Sequence, residues 1–443
     1  MFISINFYQP HMPIKKFDYI YVSCEIKKIY MINRSIQRYL LKKKFNITYL
    51  QKIILKFLKK LEIKKICWLD SLTDYQLHCF QPETDCLIYY PNDKDNIYHQ
   101  TSVKLPSLYL YYFNNIIINT HSSHLLCDFN DNIVFERILS ANIRYCNYAT
   151  GFIRYHDDVH ALIKYKKYKK YKKYTENIIF LGGNGVYNYY HWLIEIAPKL
   201  LFLTQQMLAK YDIKYLVIDE SIKNTPSLHA ILNLFLSFNN LNIKIIYENK
   251  NSIIYVKNLF YINNLNNFVF NSKEKLSSPK YSCFCPKLVN KTREVCLAEL
   301  KSANIIKEFP KKIFLARKIG SIRAYNQEQI LNYFEGQGFT ALYIENFSFL
   351  EQVKIFNQAD FIIGPSGAAW SNIIFCQPNS KALSWLPEQI SGFSAFSTLA
   401  HLSKCDLRFV FTEANTADQV HSNYHVDLTK INQLYSIMKS ESL

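Results

Sequence analysis

Several things are scarce in this chain, and each shortage narrows what it can be. No apolar stretch approaches the roughly 18 residues that span a bilayer. The opening segment, MFISINFYQPHMPIKKF, lacks the apolar centre and cleavage site of a secretory leader. The expected address is therefore the cytoplasm, with the inner face of the membrane as a peripheral site. The 11 cysteines are odd in number and scattered, with neither zinc-knuckle nor disulfide-framework spacing. Cys283 and Cys285 stand too close to clip a metal without a second pair, so free thiols in a reducing compartment fit best. Acids are outnumbered, 35 against 53 Lys and Arg, for a formal charge of +18. Glycine is scarce for a chain of this length: there are only 10 in 443. A chain this sparing keeps glycine where no side chain fits.

Among the residues that are present, a hydrophobic fraction of 49% with scattered charge describes a globular protein of two or three domains. The positive charge is clustered. Lys164 to Tyr174 reads KYKKYKKYKKY, and Leu50 to Leu61 places Leu50, Ile53, Ile54, Phe57, Leu58 and Leu61 on one helical face with Lys52, Lys56, Lys59 and Lys60 off it. Such stretches suit a solvated surface or an anionic membrane face. Nucleic acid is not expected as a partner, because no nucleic-acid motif accompanies the charge.

Residues 1–150 form an N-terminal region of unclear fold, with strand-like pieces at Cys86–Tyr90 and Leu108–Tyr112. From about residue 176 strands alternate with helices. Asn177–Leu181, Tyr215–Ile218, Lys244–Tyr247 and Ile253–Val256 read as strands, while Tyr189–Leu208, interrupted at Pro198, and Leu228–Phe238 read as helices. Residues 263–288, rich in Asn, Ser, Lys and Pro, read as a linker. The rhythm resumes with strands at Lys312–Ala316, Leu342–Ile344, Phe361–Ile363 and Ala382–Leu386. Asn326 reads as a helix N-cap, Ser348 and Glu351 as a capping box, and Ala368–Phe375 as a short helix. The expected layout is a first Rossmann-like unit at 151–275, a second at 276–410, and a C-terminal tail with a terminal helix at 411–443.

Five of the glycines fall in two motifs. In the first, Gly182-Gly183-Asn184-Gly185 leads into Asn188-Tyr189-Tyr190-His191-Trp192-Leu193-Ile194-Glu195. Helical spacing puts Asn188, His191 and Glu195 on one stripe, apart from an apolar stripe of Leu193, Ile196, Leu200 and Leu203. In the second, Phe361-Ile362-Ile363 runs into Gly364-Pro365-Ser366-Gly367-Ala368-Ala369-Trp370-Ser371-Asn372. A glycine turn between a strand and a helix presents N–H groups to an anion, and Arg317, Lys318 and Arg323 lie on upstream loops that a parallel sheet would bring to the same crevice. Weaker candidates are His156 and His160, spaced for one helical face, and Asp128 with Asp131.

Together these motifs resemble glycosyltransferase family 61, over roughly residues 176–390. The resemblance rests on Asn188 to Leu193 and on the later block of Arg317, Arg323, Asn326, Glu351-Gln352 and Gly364 to Asn372. It implies a GT-B-like pair of Rossmann-type units. It also implies inverting transfer of a hexosyl or pentosyl group from a nucleotide-sugar, without an essential metal or other cofactor, to a glycan or lipid-linked glycan of a surface polysaccharide such as a capsule. His191 would be the base, with Glu195 orienting it or replacing it. Arg317, Lys318, Arg323, Gly364, Ser366, Gly367, Ala368, Gln352 and Asn372 would bind the donor, and Asn188, Tyr190 and Trp192 would line the acceptor side. Many members carry His where this chain has Ser366, which can donate a hydrogen bond but carries no charge. Two other functions compete: a non-catalytic nucleotide- or glycan-binding protein, and an NAD(P)-dependent oxidoreductase using Gly182 to Gly185 with Asp219 on a ribose.

Overall fold

The computed structural model describes residues 62–92, 99–127, 132–139, 143–144, 151, 153–156, 159–164, 171–268, 282–318, 323–413 and 423–441. The basic helix at Leu50–Leu61, Asp128 and Asp131, positions 165–170 of the lysine–tyrosine tract and the boundary near residue 275 lie outside these. The chain divides into two units, Met1–Leu61 and Glu62–Leu443. The described residues belong to the second, a mixed α/β unit with parallel and antiparallel strands.

Eleven strands form the larger sheet. Its parallel part runs Ile253–Ile262, Lys172–Phe180, Tyr215–Asp219, Lys244–Glu248. Leu108–Asn119 then pairs antiparallel along the full outer edge of Ile253–Ile262, from Asn119 opposite Ile253 to Leu110 opposite Ile262. Through it the sheet continues to Leu125–Cys127, Asn132–Phe135, Glu62–Trp68, His160–Ile163 and Ile153–His156, with Gln76–Gln81 also paired to Leu108–Asn119. The boundary expected at residue 150 thus passes through one continuous sheet. His156 and His160 sit on paired antiparallel strands rather than on a helix.

The smaller sheet is wholly parallel. Its spatial order is Thr340–Leu342, Lys312–Leu315, Phe361–Pro365, Lys381–Pro387, Asp406–Thr412. In chain order this is 2-1-3-4-5, so the winding reverses between Lys312–Leu315 and Phe361–Pro365, and such a reversal opens a crevice at the carboxyl ends of the two strands. The crossovers include the helices Gln327–Glu335, Phe349–Gln358, Ala368–Phe375 and Ala395–Ser403. Ser348 and Glu351 form the capping box expected of them. Asn326 does not cap with its side chain. It grips the backbone of Val426 instead, accepting from its N at 2.9 Å and donating to its O at 3.0 Å.

Three expectations need correction. The helix over Tyr189–Leu208 is three short pieces: a π-helical His191–Ile196, a 3-10 Ala197–Phe202 and an α-helical Gln205–Lys210 capped by Thr204. Pro198 has no N–H to continue the regular ladder, and the change of helix type falls beside it. There is also no solvent-facing polar stripe, because every residue from His191 to Ile196 is buried. Finally, the Asn-rich stretch is not a linker where it is described. Asn263, Asn264, Asn266 and Asn267 are buried. Asn266 joins the Ile194 carbonyl (2.8 Å) to the Cys285 amide (2.8 Å), and Pro286 opens the helix Pro286–Ala303. Asparagine reads as loop locally, but it satisfies buried backbone equally well.

One apolar cluster runs from Ile179, Trp192 and Leu232 through Val289 and Val353 to Trp370 and Leu407, so both sheets bury helices in a shared core. Each such side chain stabilises the fold by about 1.5–3 kcal/mol. A hairpin of Thr84–Tyr89 and Gln100–Leu105 leaves the larger sheet and docks on Ala395–Ser403. There the Tyr89 amide donates to Thr398 Oγ1 (3.1 Å), Ser397 Oγ donates to the Tyr89 carbonyl (2.7 Å), and the Tyr89 ring stacks on His401 at 3.6 Å.

Candidate active site

The first glycine motif is a packing device. A Cβ on Gly182 would stand 2.8 Å from the Thr120 carbonyl oxygen, and one on Gly183 would stand 3.3 Å from Ile196 Cδ1. Gly185 has φ +69°, and a side chain there would meet the His191 ring, with Cγ at 2.9 Å and Nε2 at 3.0 Å. Two of the turn's amides are used internally: Val186 N donates to Gly183 O and Asn188 N to Gly185 O. At Gly185 the absent side chain allows a close approach of backbone to an imidazole.

That imidazole is paired. His191 Nδ1 lies 2.6 Å from Glu195 Oε2, with both residues buried at 5% and 6% exposure. A carboxylate at this distance fixes both the ring and its tautomer, with the proton on Nδ1. Tyr190 packs against the ring at 5.0 Å and against Phe396 at 5.9 Å. Burial, then the charge of Glu195, pushes the Tyr190 phenol well above its ordinary range. Asn188 does not join the pair. Its Oδ1 accepts from Tyr190 N (2.9 Å), holding the start of the helix. Trp192 is also elsewhere: fully buried in the core, it donates Nε1 to the Leu228 carbonyl (2.9 Å).

At the second motif the switch point of the smaller sheet holds two guanidiniums. The Arg317 backbone is clamped by Gln327, whose Oε1 accepts from Arg317 N (2.7 Å) and whose Nε2 donates to Arg317 O (2.8 Å). Its Nη1 donates to the Arg323 carbonyl (3.2 Å) and its Nη2 to the Ser366 carbonyl. Gly367 is extended, and a Cβ there would come within 3.0 Å of Arg317 Nη2. Arg323 sits in the left-handed region at φ +65°. Its Nε is buried without a hydrogen-bond partner among the described residues. Burial, then the neighbouring charge of Arg317, pulls the Arg323 guanidinium below its ordinary range. No carboxylate among the described residues forms an ion pair with either arginine.

The remaining donor candidates divide. Gly364 lets two strands close up, since a Cβ there would lie 2.6 Å from Leu315 Cβ. Ser366 is buried and Ala368 half-buried at the start of the short helix. Lys318 turns away, its Nζ 3.4 Å from Glu345 Oε1 and 3.2 Å from Asn346 Oδ1. Asn372 and Gln352 are buried in a chain of hydrogen bonds: Tyr189 hydroxyl to Asn372 Oδ1 (2.7 Å), Asn372 Nδ2 to Gln352 Oε1 (3.4 Å), Gln352 Nε2 to Phe347 O (3.0 Å). That chain ties the first motif to the second.

Two groups escaped the sequence reading. Tyr424 and Tyr325 stack in parallel at 5.7 Å, and Tyr325 meets Trp385 edge-on. Burial raises the Tyr424 phenol, while Arg317 and Arg323 pull it the other way, which places it beside both guanidiniums. No local pattern links Tyr424 to residues a hundred positions upstream. Lys199 is the other: it is buried and donates Nζ to the Ile262 carbonyl (3.1 Å). Among the described residues no group of three or more His, Cys, Asp or Glu is placed to hold a metal. No helix among them is long and apolar enough to cross a membrane.

The site thus sets a buried imidazole–carboxylate pair at one motif and two arginines without a carboxylate partner among the described residues at the other. The Glycosyltransferase 61 family model matches residues 189–383, and the chain's resemblance to that family is thereby shown. No curated protein matches the chain. Among solved structures, a conserved LOR/SDH protein from Methanococcus maripaludis S2 aligns at 8% identity over 87% of this chain and 99% of that one. Its TM-score of 0.13 carries no argument.

Proposed function

We propose that the chain is an inverting glycosyltransferase with a GT-B-like pair of Rossmann-type units, the donor bound by the second and the acceptor by the first. The observation that carries the reading is the Arg317–Arg323 pair. Two like charges, partly desolvated and without a carboxylate partner among the described residues, repel each other until an anion arrives. A nucleoside diphosphate at a parallel-sheet switch point fits that need.

In this reading His191 Nε2 takes the proton of an acceptor hydroxyl, while Glu195 holds Nδ1. The acceptor oxygen forms its bond to the anomeric carbon as the bond from that carbon to the diphosphate breaks. The diphosphate leaves with the bonding electrons, its charge met by the two guanidiniums without need of a metal or cofactor. The reading takes a hexosyl or pentosyl donor and a glycan or lipid-linked glycan acceptor. Surface-polysaccharide synthesis such as capsule assembly, in the cytoplasm at the membrane's inner face, is the setting we propose, with the basic segments as contacts to acidic lipid.

Ser366, buried where many family members carry His, favours a second reading, a nucleotide- or glycan-binding protein without turnover. The oxidoreductase is disfavoured. Asp219 is fully buried and accepts from Thr120 Oγ1, Ser221 N and Oγ, and Asn251 N, so it is not presented to a ribose. A thermal-shift series with UDP, GDP, CDP, CMP, NAD and NADP tests the assignment. A shift with one pyrimidine or guanine nucleotide supports it, turnover with the matching nucleotide-sugar separates enzyme from binder, and a shift with NAD or NADP alone overturns it.

A further inference from the structure

The backbone that carries Arg323 is tied down by a segment about a hundred residues further along the chain. Arg323 takes φ +65°, a left-handed conformation that is unfavourable for any residue with a side chain and persists only where its surroundings enforce it. The three residues that follow it are held by Asn423–Val426. Asn423 Oδ1 accepts from Ala324 N (3.0 Å), and Tyr424 N donates to Ala324 O (3.1 Å). The Tyr424 ring lies parallel to that of Tyr325 at 5.7 Å. Asn326 Oδ1 accepts from Val426 N (2.9 Å), and its Nδ2 donates to Val426 O (3.0 Å).

This segment is itself anchored. Asp427 caps the terminal helix Leu428–Ser440, accepting from Thr429 N at 2.8 Å. The Tyr435 ring of that helix meets Phe334 and Phe361 edge-on, both at 5.3 Å. Lys381 Nζ donates to the Met438 carbonyl, and the Tyr333 hydroxyl donates to Asn432 Oδ1. The strap is thus fixed to the smaller sheet on one side and to the Arg323 loop on the other.

We propose that Asn423–Val426 is a positioning strap for the two arginines, with Asn326 as its clasp. It holds the Arg323 backbone where its carbonyl receives Arg317 Nη1 (3.2 Å), and so keeps both guanidiniums together for a diphosphate. The inference rests on the reading of that pair as the diphosphate site. Like charges held close drift apart unless the backbone beneath them is fixed. Without the strap Arg323 would relax to negative φ, its carbonyl would leave Arg317, and the pair would have to be reassembled on binding. Four hydrogen bonds and a ring stack supply that pre-organisation before the anion arrives. The strap lies outside residues 189–383, which match the family model, so the donor site is completed by a part of the chain beyond that match.

The full chain with inorganic diphosphate tests this. The dissociation constant is read by calorimetry, beside the melting temperature of the ligand-free protein and deuterium uptake at residues 323–326. Asn326→Ala opens the clasp and should raise the dissociation constant about tenfold, with faster uptake at those residues. Tyr333→Phe is the structural control: it loosens the terminal helix at Asn432 and should lower the melting temperature without changing the dissociation constant. An unchanged constant in Asn326→Ala, or an equal rise in Tyr333→Phe, overturns the proposal. Should Asn326→Ala fail to fold, Asn423→Ala removes one tie at an exposed position and should raise the constant by a smaller factor; no rise there overturns it equally. If the wild type does not bind diphosphate, the donor-site reading fails. Deuterium uptake then decides on the strap alone, and unchanged protection in Asn326→Ala sinks it.

Discussion

The two ends of the candidate site handle charge in opposite ways. At the His191 end the buried imidazole is paired with a buried carboxylate. At the Arg317 end the Arg317 guanidinium donates to the Arg323 and Ser366 carbonyls, the buried Arg323 Nε has no hydrogen-bond partner among the described residues, and neither arginine meets a carboxylate there. A self-satisfied cluster stores a proton equilibrium inside the protein. A frustrated one stores an affinity, because relief must come from outside. The contrast supports the proposed division of labour, chemistry at the first end and binding at the second.

The largest effect that could break this contrast is at the frustrated end. Arg323→Ala should lower kcat/KM about 10²- to 10³-fold and abolish the nucleotide-induced thermal shift. Arg323→Met should do the same while leaving the melting temperature of the ligand-free protein no lower than wild type, since a repulsion is removed. A clear drop in that temperature would mean the pair is structurally satisfied after all. At the paired end, Glu195→Gln should reduce kcat about 10²-fold with little change in KM, measured across a pH series; a rise in KM alone would move Glu195 to the binding side.

Smaller effects probe how the ends are held. Gly185→Ala forces a side chain at φ +69° into the His191 ring and should cost about 2 kcal/mol in urea unfolding. Tyr189→Phe removes the hydroxyl that reaches Asn372 across the two motifs. It should cost about 1 kcal/mol, read the same way, because Asn372 Oδ1 is then buried unpaired.

Most parallel strands of both sheets were legible in the sequence as short apolar runs bounded by turns, but Asp406–Thr412, which pairs with Lys381–Pro387, was not, and the boundary expected at residue 411 cuts through it. Ser348 with Glu351 was legible because the signal lies within one helical turn. What escaped is non-local. Leu108–Asn119 looked like an isolated strand because its partner, Ile253–Ile262, lies far along the chain. Asn263 to Asn267 read as solvated loop because the carbonyls and amides they satisfy belong to other segments. Trp192 shares a motif with His191 yet serves the core, since in a tightly packed π-turn neighbouring residues face different masses of protein. Lys318 sits beside Arg317 in sequence, but its side chain turns the other way and pairs with Glu345.

The hairpin that carries Tyr89 to Thr398 has a consequence for biogenesis. Its two partners are separated by 309 positions in the chain, so Tyr89 leaves the ribosome long before anything exists for it to grasp. At typical synthesis rates of about 5–20 residues per second, that wait lasts on the order of tens of seconds. During it the apolar face of Thr84–Leu105, including Cys86, Ile88, Val103 and Leu105, all buried in the finished protein, has no final cover. The nascent chain is therefore expected to need shielding until the last strands of the smaller sheet emerge, and the two sheets to reach their native packing together rather than in turn.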